Sequence, residues 1–237
     1  MFDVKFNFCK FKANLVQNSL FWKYFMLTIN EIYYSIQGES SSAGLPCIFI
    51  RLTYCNLRCT YCDTEYAFHE GKEMSIEEIL TEVEKYKCKL VEVTGGEPLF
   101  QEQCLDLMKL LCEKGFEVLL ETGGSLPIKH IDERVKIIMD LKCPTSGMVK
   151  KNVYDNINYL KPFDEVKFVI GSREDFDWTI EILNKYELAS KCHILFSVVF
   201  GKLEPVTLVD WILEDNLDVR FQLQMHKYIW EPTTKGV

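Results

Sequence analysis

The stretch IFIRLTYCNLRCTYCDT, residues 48–64, joins a short apolar run to a loop that carries three cysteines. Residues 48–53 are mostly β-branched and aromatic or aliphatic, which predicts a buried strand. Cys55, Cys59 and Cys62 follow this strand in a C-x3-C-x2-C pattern. Three thiolates on one short loop can ligate zinc or three irons of an iron–sulfur cluster. The loop is therefore the first candidate for the chemistry of the protein.

Predicted helices and strands alternate along the chain after this loop. A Ser75/Glu78 capping box opens one helix, and Pro205 opens another. The strands are apolar runs, which is typical of a parallel sheet covered by helices. Six or seven β/α units in one domain predict an α/β fold, namely a partial, open barrel of the (βα)6 type. The predicted strands are 48–53, 90–94, 117–121, 135–141, 165–170, 193–200 and 219–224, and the predicted helices are 75–87, 100–115, 127–133, 151–160, 173–188 and 205–215.

Length and composition exclude several classes of protein. The chain has 237 residues, of which 48% are apolar, and this suits one domain with a sizeable core. A net charge of −8 argues against a nucleic-acid partner and against a polybasic membrane surface. No apolar run approaches the roughly 18 residues of a membrane helix. Ten cysteines in a chain with a full core are interpreted mostly as small buried side chains in a reducing cytoplasm.

Polar residues gather where the predicted strands end. The segments are TGGEP (94–98), ETGGS (121–125), DLKCP (140–144), Ser197 late in its strand, and Gln224 and His226 after the last strand. In a parallel barrel the carboxyl ends of the strands share one edge, and active sites form there. Each segment alone could be a turn. Together with the cysteine loop, they predict a site at this edge.

The number of thiols separates the metal sites that the loop could form. A structural zinc ion and an electron-transfer [4Fe–4S] cluster each take four protein ligands. Cys47 and His69 lie nearby in the sequence, but neither has the spacing of a fourth ligand. Three cysteines would leave one iron open, which a cluster needs if it binds and activates a small molecule. A structural or electron-transfer role for the thiols stays open at this point.

With these motifs the sequence resembles the radical S-adenosylmethionine (SAM) superfamily. The cysteine loop, with Tyr61 before its third cysteine, and GGEP at 95–98 are similar to two motifs of that superfamily. Within it, the chain resembles the 7-carboxy-7-deazaguanine synthase family from Asn30 onward. The matching segments are NEIYYSIQGES, FIRLTYCNLRCTYCDT, TGGEPLFQ, ETGGS, DLKCPTSG, KFVIGSREDF and QLQMHKYIW. Ser40 and Gly123 depart from the family pattern, which usually has Gly and Asn there.

The resemblance implies a role for each matching residue. Cys55, Cys59 and Cys62 would ligate a [4Fe–4S] cluster, whose open iron would bind the amine and carboxylate of SAM. The other cofactor contacts would be Tyr61, Cys62, Asp63, Gly95, Gly96, Glu97, Ser125, Lys142, Cys143, Pro144, Thr145 and Ser197. The pterin contacts would be Ile36, Gln37, Gly38, Glu39, Arg51, Thr94 and His226, of which Glu39, Arg51 and His226 are the candidate catalytic residues. Thr64 would bind Mg²⁺, with Asp63 close by.

The implied reaction converts 6-carboxy-5,6,7,8-tetrahydropterin to 7-carboxy-7-deazaguanine, for queuosine or another 7-deazapurine. One electron from the cluster would cleave SAM, and the 5′-deoxyadenosyl radical would take hydrogen from C6 of the substrate. Ring contraction and loss of ammonia would follow. Gln37 and Glu39 could pair with the amide and amine edges of the pterin, and Arg51 with its carboxylate. A flavodoxin or ferredoxin as the reductant and a homodimer are further expectations from the family.

Other interpretations stay open from the sequence alone. Arg51 could be a structural arginine, His226 a capping histidine and Glu39 a solvated loop carboxylate. The chain could also be another radical SAM enzyme, such as a glycyl-radical activase, or an iron–sulfur or zinc protein without catalytic activity. Residues 1–25 match nothing in the family pattern. We expect them to be an extension outside the native protein, which would start at Met26, and we expect residues 26–237 to form the single radical SAM domain.

Overall fold

Residues 26–237 are described by a computed structural model of the protein, and the expected extension at 1–25 lies outside the described residues. The strands in this part of the chain are β1 (Met26–Ile36), β2 (Pro46–Leu52), β3 (Lys72–Ser75), β4 (Leu90–Gly95), β5 (Glu117–Thr122), β6 (Lys136–Asp140), β7 (Glu165–Ile170), β8 (His193–Val198) and β9 (Arg220–Phe221). They form one sheet in the order β3-β1-β2-β4-β5-β6-β7-β8-β9. From β2 to β9 all neighbours are parallel, whereas β1 is antiparallel to both β2 and β3.

The sheet stays open, because β3 and β9 form its two edges. This confirms the predicted α/β fold with a partial barrel. The parallel strands correspond to the predicted ones, although β9 covers only Arg220–Phe221 of the predicted 219–224. The antiparallel edge of β1 and β3 is an addition that the sequence pattern does not predict.

In the part of the chain that the structure describes, four α-helices pack against the sheet, and a fifth, short helix follows the last strand. They are α1 (Ile76–Val83), α2 (Cys104–Glu113), α3 (Arg173–Tyr186), α4 (Pro205–Glu214) and α5 (His226–Ile229). The predicted capping box opens α1, where Ser75 N donates to Glu78 Oε2 at 2.7 Å and Glu78 N donates to Ser75 Oγ at 3.2 Å. Pro205 opens α4, because a missing N–H is harmless in the first turn. Among the helices of residues 26–237, none has the length and apolar character needed to span a bilayer.

Two predicted helices are wrong. Residues 127–133 form no helix. The backbone at the start of this segment is hydrogen-bonded instead to the buried side chain of Asn156. Its Nδ2 donates to Leu126 O at 2.9 Å, and its Oδ1 accepts from Ile128 N at 3.2 Å. Residues 151–160 contain only a 3₁₀-helix at Tyr154–Tyr159. The two segments satisfy each other's polar groups, which removes the need for a helical hydrogen-bond ladder.

The alternation of side chains along β4 separates the outer core from the interior of the barrel. Val91 and Val93 pack into the outer core with residues of α1 and α2. Leu90, on the opposite face, belongs to a small apolar cluster inside the barrel with Cys47, Phe49, Leu119 and Ile138. Glu92 and Thr94 follow Leu90 on this inner face, since every second side chain of a strand points the same way. The interior therefore changes from apolar to polar toward the carboxyl edge of the strands.

Ser40 has a left-handed backbone conformation, with a φ of 63°. Its side chain is buried, its N–H donates to Gln222 Oε1 at 2.7 Å, and its Oγ accepts from Ser42 N at 3.1 Å. Glycine adopts a positive φ without strain, so the backbone at this position favours glycine over serine. The serine is held in this conformation by the two hydrogen bonds.

We expect the Ser40→Gly variant to be more stable than the Ser40→Ala variant by about 1 kcal/mol. Both substitutions remove the hydrogen bond from Ser42 N, so their difference isolates the cost of a β-carbon at a positive φ. Urea titrations of the free energy of unfolding measure this difference. Equal stability of the two variants would contradict a strained residue at this position.

Candidate active site

A cavity of about 780 Å³ opens at the carboxyl edge of the parallel strands. It is lined by the cysteine loop after β2, by the ends of β4 to β7, and by the segment that follows β9. The sequence predicts a site at this edge, and the structure brings most of the predicted residues to it. Those that line the cavity are Ile36, Gln37, Gly38, Glu39, Arg51, Cys55, Cys59, Tyr61, Cys62, Asp63, Thr64, Thr94, Gly95, Gly96, Lys142 and His226.

The cysteine loop, residues 54–64, begins in a strained conformation at the wall of the cavity. Tyr54 has a φ of 77°, an unfavourable value for a residue with a β-carbon. Cys55, Cys59 and Cys62 are free, half-buried thiols that line the cavity. Burial raises the pKa of all three thiols, and that of Cys59 to about 11. The loop therefore brings its three potential ligands to one side of the site.

Three thiols beside an open cavity fit an iron–sulfur cluster better than a single metal ion. Within residues 26–237, no three Cys, His, Asp or Glu side chains converge closely enough to hold one ion. A cluster of four irons occupies more space, and three cysteines leave one of its irons free. Burial raises the pKa of Cys59, and the nearby Lys142 ammonium opposes this effect. A cation at this place suits the negative charge that thiolates bring to a cluster.

The Gly95-Gly96 backbone fixes the start of the cysteine loop. Gly96 N donates to Leu52 O at 3.2 Å, and Glu97 N donates to Tyr54 O at 2.8 Å. A β-carbon at Gly95 would lie 2.2 Å from Leu52 O, and one at Gly96 would lie 2.3 Å from Tyr54 O. Only glycine allows so close an approach of two backbones. The two glycines thus hold the cysteine loop against the end of β4.

Glu97 is fully buried and does not line the cavity. Its carboxylate accepts hydrogen bonds from Thr122 Oγ1 at 2.8 Å, from Gly123 N at 2.8 Å and from Leu99 N at 3.1 Å. Burial raises the pKa of Glu97, although these donors favour the carboxylate. The side chain therefore joins the ends of β4 and β5, and a direct contact between Glu97 and the cofactor stays a prediction.

A buried lysine joins two carboxylates at the inner wall of the cavity. Lys167 Nζ donates to Glu39 Oε2 at 3.0 Å and also to Glu121 Oε1. Gln224 Nε2 donates to the second oxygen of Glu39 at 3.1 Å. Burial raises the pKa of Glu39, but Lys167 and His226 lower it more, so that the net shift is downward. Glu39 is therefore a fixed carboxylate and not a solvated loop residue.

Arg51 forms an ion pair in the wall of the cavity. Its Nε donates to Glu31 Oε1 at 2.7 Å, and its Nη2 donates to Tyr33 Oη at 2.8 Å. Tyr66 Oη donates to the same oxygen of Glu31 at 2.9 Å. The guanidinium still lines the cavity with these partners engaged. Arg51 thus has the structural pairing that the sequence left open, and it also stays accessible to a ligand.

The segment after β9 contacts both the cysteine loop and the QGE motif. His226 packs on Gly38, where a β-carbon would lie 2.5 Å from Nδ1 of the histidine. Lys227 Nζ contacts Asp63 Oδ2 at 2.6 Å, and Thr64 Oγ1 donates to Asp63 Oδ1 at 3.0 Å. Burial raises the pKa of Asp63, but Lys227 outweighs it and brings the pKa to about 2. Asp63 is thus an anchored carboxylate beside the Thr64 hydroxyl.

Five further predicted cofactor contacts lie outside the cavity lining. They are Ser125, Cys143, Pro144, Thr145 and Ser197. Thr145 N donates to Asp175 Oδ1 at 2.8 Å, which anchors its turn to α3. Ser197 Oγ and Tyr61 Oη are buried without a hydrogen-bond partner in residues 26–237. Buried polar atoms normally have a partner, and since Tyr61 lines the cavity, its Oη fits a contact with a polar group of a bound cofactor. Ser197 does not line the cavity, and its contact with the cofactor stays a prediction.

Two charged residues inside strands belong to the site although neither is among the site residues predicted from the sequence. Glu92 in β4 and Lys167 in β7 both line the cavity. Each is a single charge in an apolar run, and such a charge is unfavourable unless it is paired. That signal was available in the sequence. Glu31 and Lys227 lack it, because they lie in segments of mixed polarity.

Residues 49–204 match the family model described as the Radical SAM superfamily. The open parallel barrel, the cysteine loop and the GGEP turn are therefore those of a radical SAM enzyme. The 7-carboxy-7-deazaguanine synthase of Chlorobaculum tepidum is 47% identical over 215 residues, which cover 89% of this chain and 97% of that protein. The protein of the same name from Koribacter versatilis is 46% identical over 226 residues, covering 89% of this chain and 100% of that protein. The chain belongs to the 7-carboxy-7-deazaguanine synthase family.

A solved structure supports the fold independently. The crystal structure of QueE from Escherichia coli matches with a TM-score of 0.73 at 21% identity, over 89% of this chain and 100% of that chain. The family model and the two relatives confirm the resemblance that the sequence motifs indicate. The alternatives of a glycyl-radical activase and of a metal protein without catalytic activity are excluded by the family.

Proposed function

We propose that this enzyme converts 6-carboxy-5,6,7,8-tetrahydropterin to 7-carboxy-7-deazaguanine with loss of ammonia, as a step toward queuosine or another 7-deazapurine. One observation carries the proposal: three free thiols and a set of buried polar side chains line the same cavity. The names of the two relatives, which the chain matches over 97% and 100% of their length, support the product. A volume of about 780 Å³ has room for a pterin beside a nucleoside.

The cysteine loop would hold the cofactors. Cys55, Cys59 and Cys62 would ligate the [4Fe–4S] cluster, and the backbone of Gly95 and Gly96 lies beside them on the cavity wall to receive SAM. When bound, the two groups supply the carbon radical that takes a hydrogen atom from the substrate. The protein itself would keep the cysteine loop fixed through the backbone hydrogen bonds of the GGEP turn.

The fixed polar groups of the inner wall would orient the pterin. Glu39, held by Lys167 and Gln224, would accept hydrogen bonds from N–H groups of the ring. Arg51 would face the substrate carboxylate. Burial lowers the pKa of His226, so its imidazole is neutral at pH 7 and can donate or accept a hydrogen bond. Groups that are arranged before binding hold a substrate in one orientation at little entropic cost.

Magnesium would bind at Thr64. Mg²⁺ prefers oxygen ligands and keeps several waters, so Thr64 Oγ1 and the substrate carboxylate would form part of its shell. We expect chelation of Mg²⁺ to lower turnover about tenfold or more, and Thr64→Val to have a similar effect that added Mg²⁺ does not reverse. Turnover measured against Mg²⁺ concentration tests this expectation.

Thr60→Val is the matched control for this test. Thr60 belongs to the same loop, but its Oγ1 donates to Thr145 O at 2.7 Å and it does not line the cavity. It should keep the native response to Mg²⁺. A Thr64→Val variant with that same native response would exclude Thr64 as a magnesium ligand.

The proposed function is tested by one anaerobic assay. The reconstituted enzyme receives SAM, dithionite, Mg²⁺ and 6-carboxytetrahydropterin, and mass spectrometry follows the products. We expect 7-carboxy-7-deazaguanine together with ammonia. Formation of 5′-deoxyadenosine without this product would overturn the substrate assignment and leave the enzyme class intact.

A flavodoxin or ferredoxin is proposed as the electron donor, and a homodimer as the assembly. The donor follows from the low potential that a cluster of this kind needs for its reduction. Reduced flavodoxin in place of dithionite should support turnover in the same assay. Sedimentation velocity of the reconstituted enzyme should give the mass of two chains.

A further inference from the structure

Glu92 is a buried carboxyl group in the wall of the cavity that the proposed mechanism does not use. Its side chain is on the inner face of β4 and the residue is 2% exposed. Its Oε2 accepts a hydrogen bond from Gln37 Nε2. Within residues 26–237 this is the one hydrogen bond of the carboxyl group, and the residue lines the cavity. Glu92 Oε1 is therefore left for a ligand.

The residues expected to bind the edge of the pterin are already engaged by the protein. Gln37 Oε1 accepts from Glu39 N at 2.7 Å, while its Nε2 donates to Glu92. The two oxygens of Glu39 accept from Lys167 at 3.0 Å and from Gln224 at 3.1 Å. A buried polar atom without a partner is unfavourable unless a ligand supplies one. Within the described residues, three carboxyl groups of this wall keep an oxygen without a protein partner, namely those of Glu92, Glu121 and Asp140. Glu121 and Asp140 are each bonded to a lysine, whereas Glu92 is bonded to a neutral amide.

The charges around Glu92 disfavour its ionised form. Glu121 and Glu39 act on it as like charges, and the largest opposing effect comes from Lys167, whose ammonium already contacts both of them, followed by Arg51. Burial, together with Glu121 and Glu39, raises the pKa of Glu92 well above its usual range. A neutral carboxyl group offers one O–H donor and one carbonyl acceptor, whereas a carboxylate only accepts.

We propose that Glu92 is a specificity-determining residue that binds the lactam edge of the pterin, formed by the C4 carbonyl and N3–H. Oε1–H would donate to the C4 oxygen, and Oε2, which has a second lone pair besides the one facing Gln37, would accept from N3–H. An ionised carboxylate would instead favour a ring with an amino group at C4. This inference rests on the proposed function, because it takes the ligand to be a pterin.

Two unreactive probes distinguish a ring with the lactam edge from a ring with an amino group at C4. They are 6-carboxypterin, with oxygen at C4, and 2,4-diaminopteridine-6-carboxylic acid, with an amino group there. Isothermal titration calorimetry on the reconstituted enzyme, with SAM and Mg²⁺ but no reductant, gives both affinities.

We expect the native enzyme to prefer 6-carboxypterin about 100-fold. Glu92→Gln keeps a donor and an acceptor and should keep this preference to within about threefold. Glu92→Ala should bind 6-carboxypterin about 30-fold more weakly and lose the preference.

Glu165→Gln is the matched control for a buried carboxyl group in another strand of the same sheet. Glu165 is fully buried in β7, pairs with Lys136 at 2.6 Å and does not line the cavity, so both affinities should stay native. Thermal unfolding checks that Glu92→Ala is folded, and Glu92→Met, which is closer in volume, replaces it if it is not.

The outcomes separate the inference from the proposed function. Equal affinity of the native enzyme for both probes, or an unchanged preference in Glu92→Ala or Glu92→Met, would overturn the role of Glu92 and leave the substrate assignment standing. A native preference that Glu92→Gln abolishes would also overturn it, since the neutral amide would then fail to replace the carboxyl group. A native enzyme that binds neither probe would overturn both proposals.

Discussion

Cys59→Ala should reduce the formation of 7-carboxy-7-deazaguanine at least about 10⁴-fold, to the background of the assay. Cys59 is the middle one of the three proposed ligands on the cavity wall, and its loss would leave only Cys55 and Cys62 to hold the cluster. Two thiolates do not retain four irons, and without the cluster the radical chemistry has no source. Iron and sulfide content after reconstitution, together with turnover, measure the effect.

Cys112→Ala is the control for the loss of a thiol as such. Cys112 is a half-buried free cysteine of α2 and does not line the cavity. This variant should bind the native amount of iron and keep full turnover. A Cys59→Ala enzyme with native iron content and native turnover would show that the cysteine loop is not the cluster site.

The site was predictable from the sequence wherever its residues stand in one short segment. The cysteine loop and the GGEP turn each follow a recognisable apolar strand, and the carboxyl ends of parallel strands share one edge. Their meeting in one cavity follows from these two facts. The contact between the cysteine loop and the GGEP turn was not predictable in detail. It depends on close approaches of the two backbones, such as that of Gly96 to Tyr54 O.

Residues that act through distant partners were not predictable in the same way. Arg51 stands opposite Glu31 in the register of β1 and β2, and the sequence pattern gives no strand at β1. Its ion-pair partner could not be named without that strand. Asp63 and Lys227 meet only because the segment after β9 folds back over the cysteine loop. Such pairs depend on tertiary packing, which local propensity does not encode.

Most charged side chains of the cavity that form ion pairs have a single partner, and Lys167 differs from them. Arg51 pairs with Glu31 at 2.7 Å, and Lys142 pairs with Asp140 at 2.7 Å. Lys167 contacts two carboxylates, and burial together with these two raises the pKa of the neighbouring Glu92. A buried cation shared by several acids is the point where removal of one charge has the largest effect. Lys167 is therefore the most sensitive residue of the inner wall.

Lys167→Met should lower the free energy of unfolding by about 3–5 kcal/mol. The side chain is 5% exposed, and its ammonium contacts both Glu39 and Glu121. Methionine preserves much of the apolar chain and removes the charge, so the two carboxylates would face each other and Glu92 without a cation. Guanidinium titrations measure the loss of stability. Turnover should also fall, because Glu39 would lose the hydrogen bond that fixes its carboxylate.

The loss of stability in Lys167→Met should grow with pH. In the native protein the pKa of Glu39 is lowered, so its pairing adds stability above the usual carboxyl pKa and loses it as the pH falls through the lowered value. Without the lysine, burial would dominate and the pKa of Glu39 would rise. A raised pKa means that the folded state holds the proton more tightly, so stability decreases as the pH rises from about 4.3. The gap between variant and native protein should therefore be wider at pH 8 than at pH 5.

Lys114→Met provides the matched control on the surface. Lys114 contacts Glu84 at 2.7 Å, with 42% and 50% of the two side chains exposed, and water screens such a pair. Its removal should change the free energy of unfolding by no more than about 0.5 kcal/mol, with little dependence on pH. Two outcomes would contradict this prediction: a Lys167→Met variant that behaves like this control, or one whose loss of stability shrinks as the pH rises. Either would show that Glu39 and Glu121 do not depend on the lysine. Neutral hydrogen bonds would then have to hold the inner wall of the cavity.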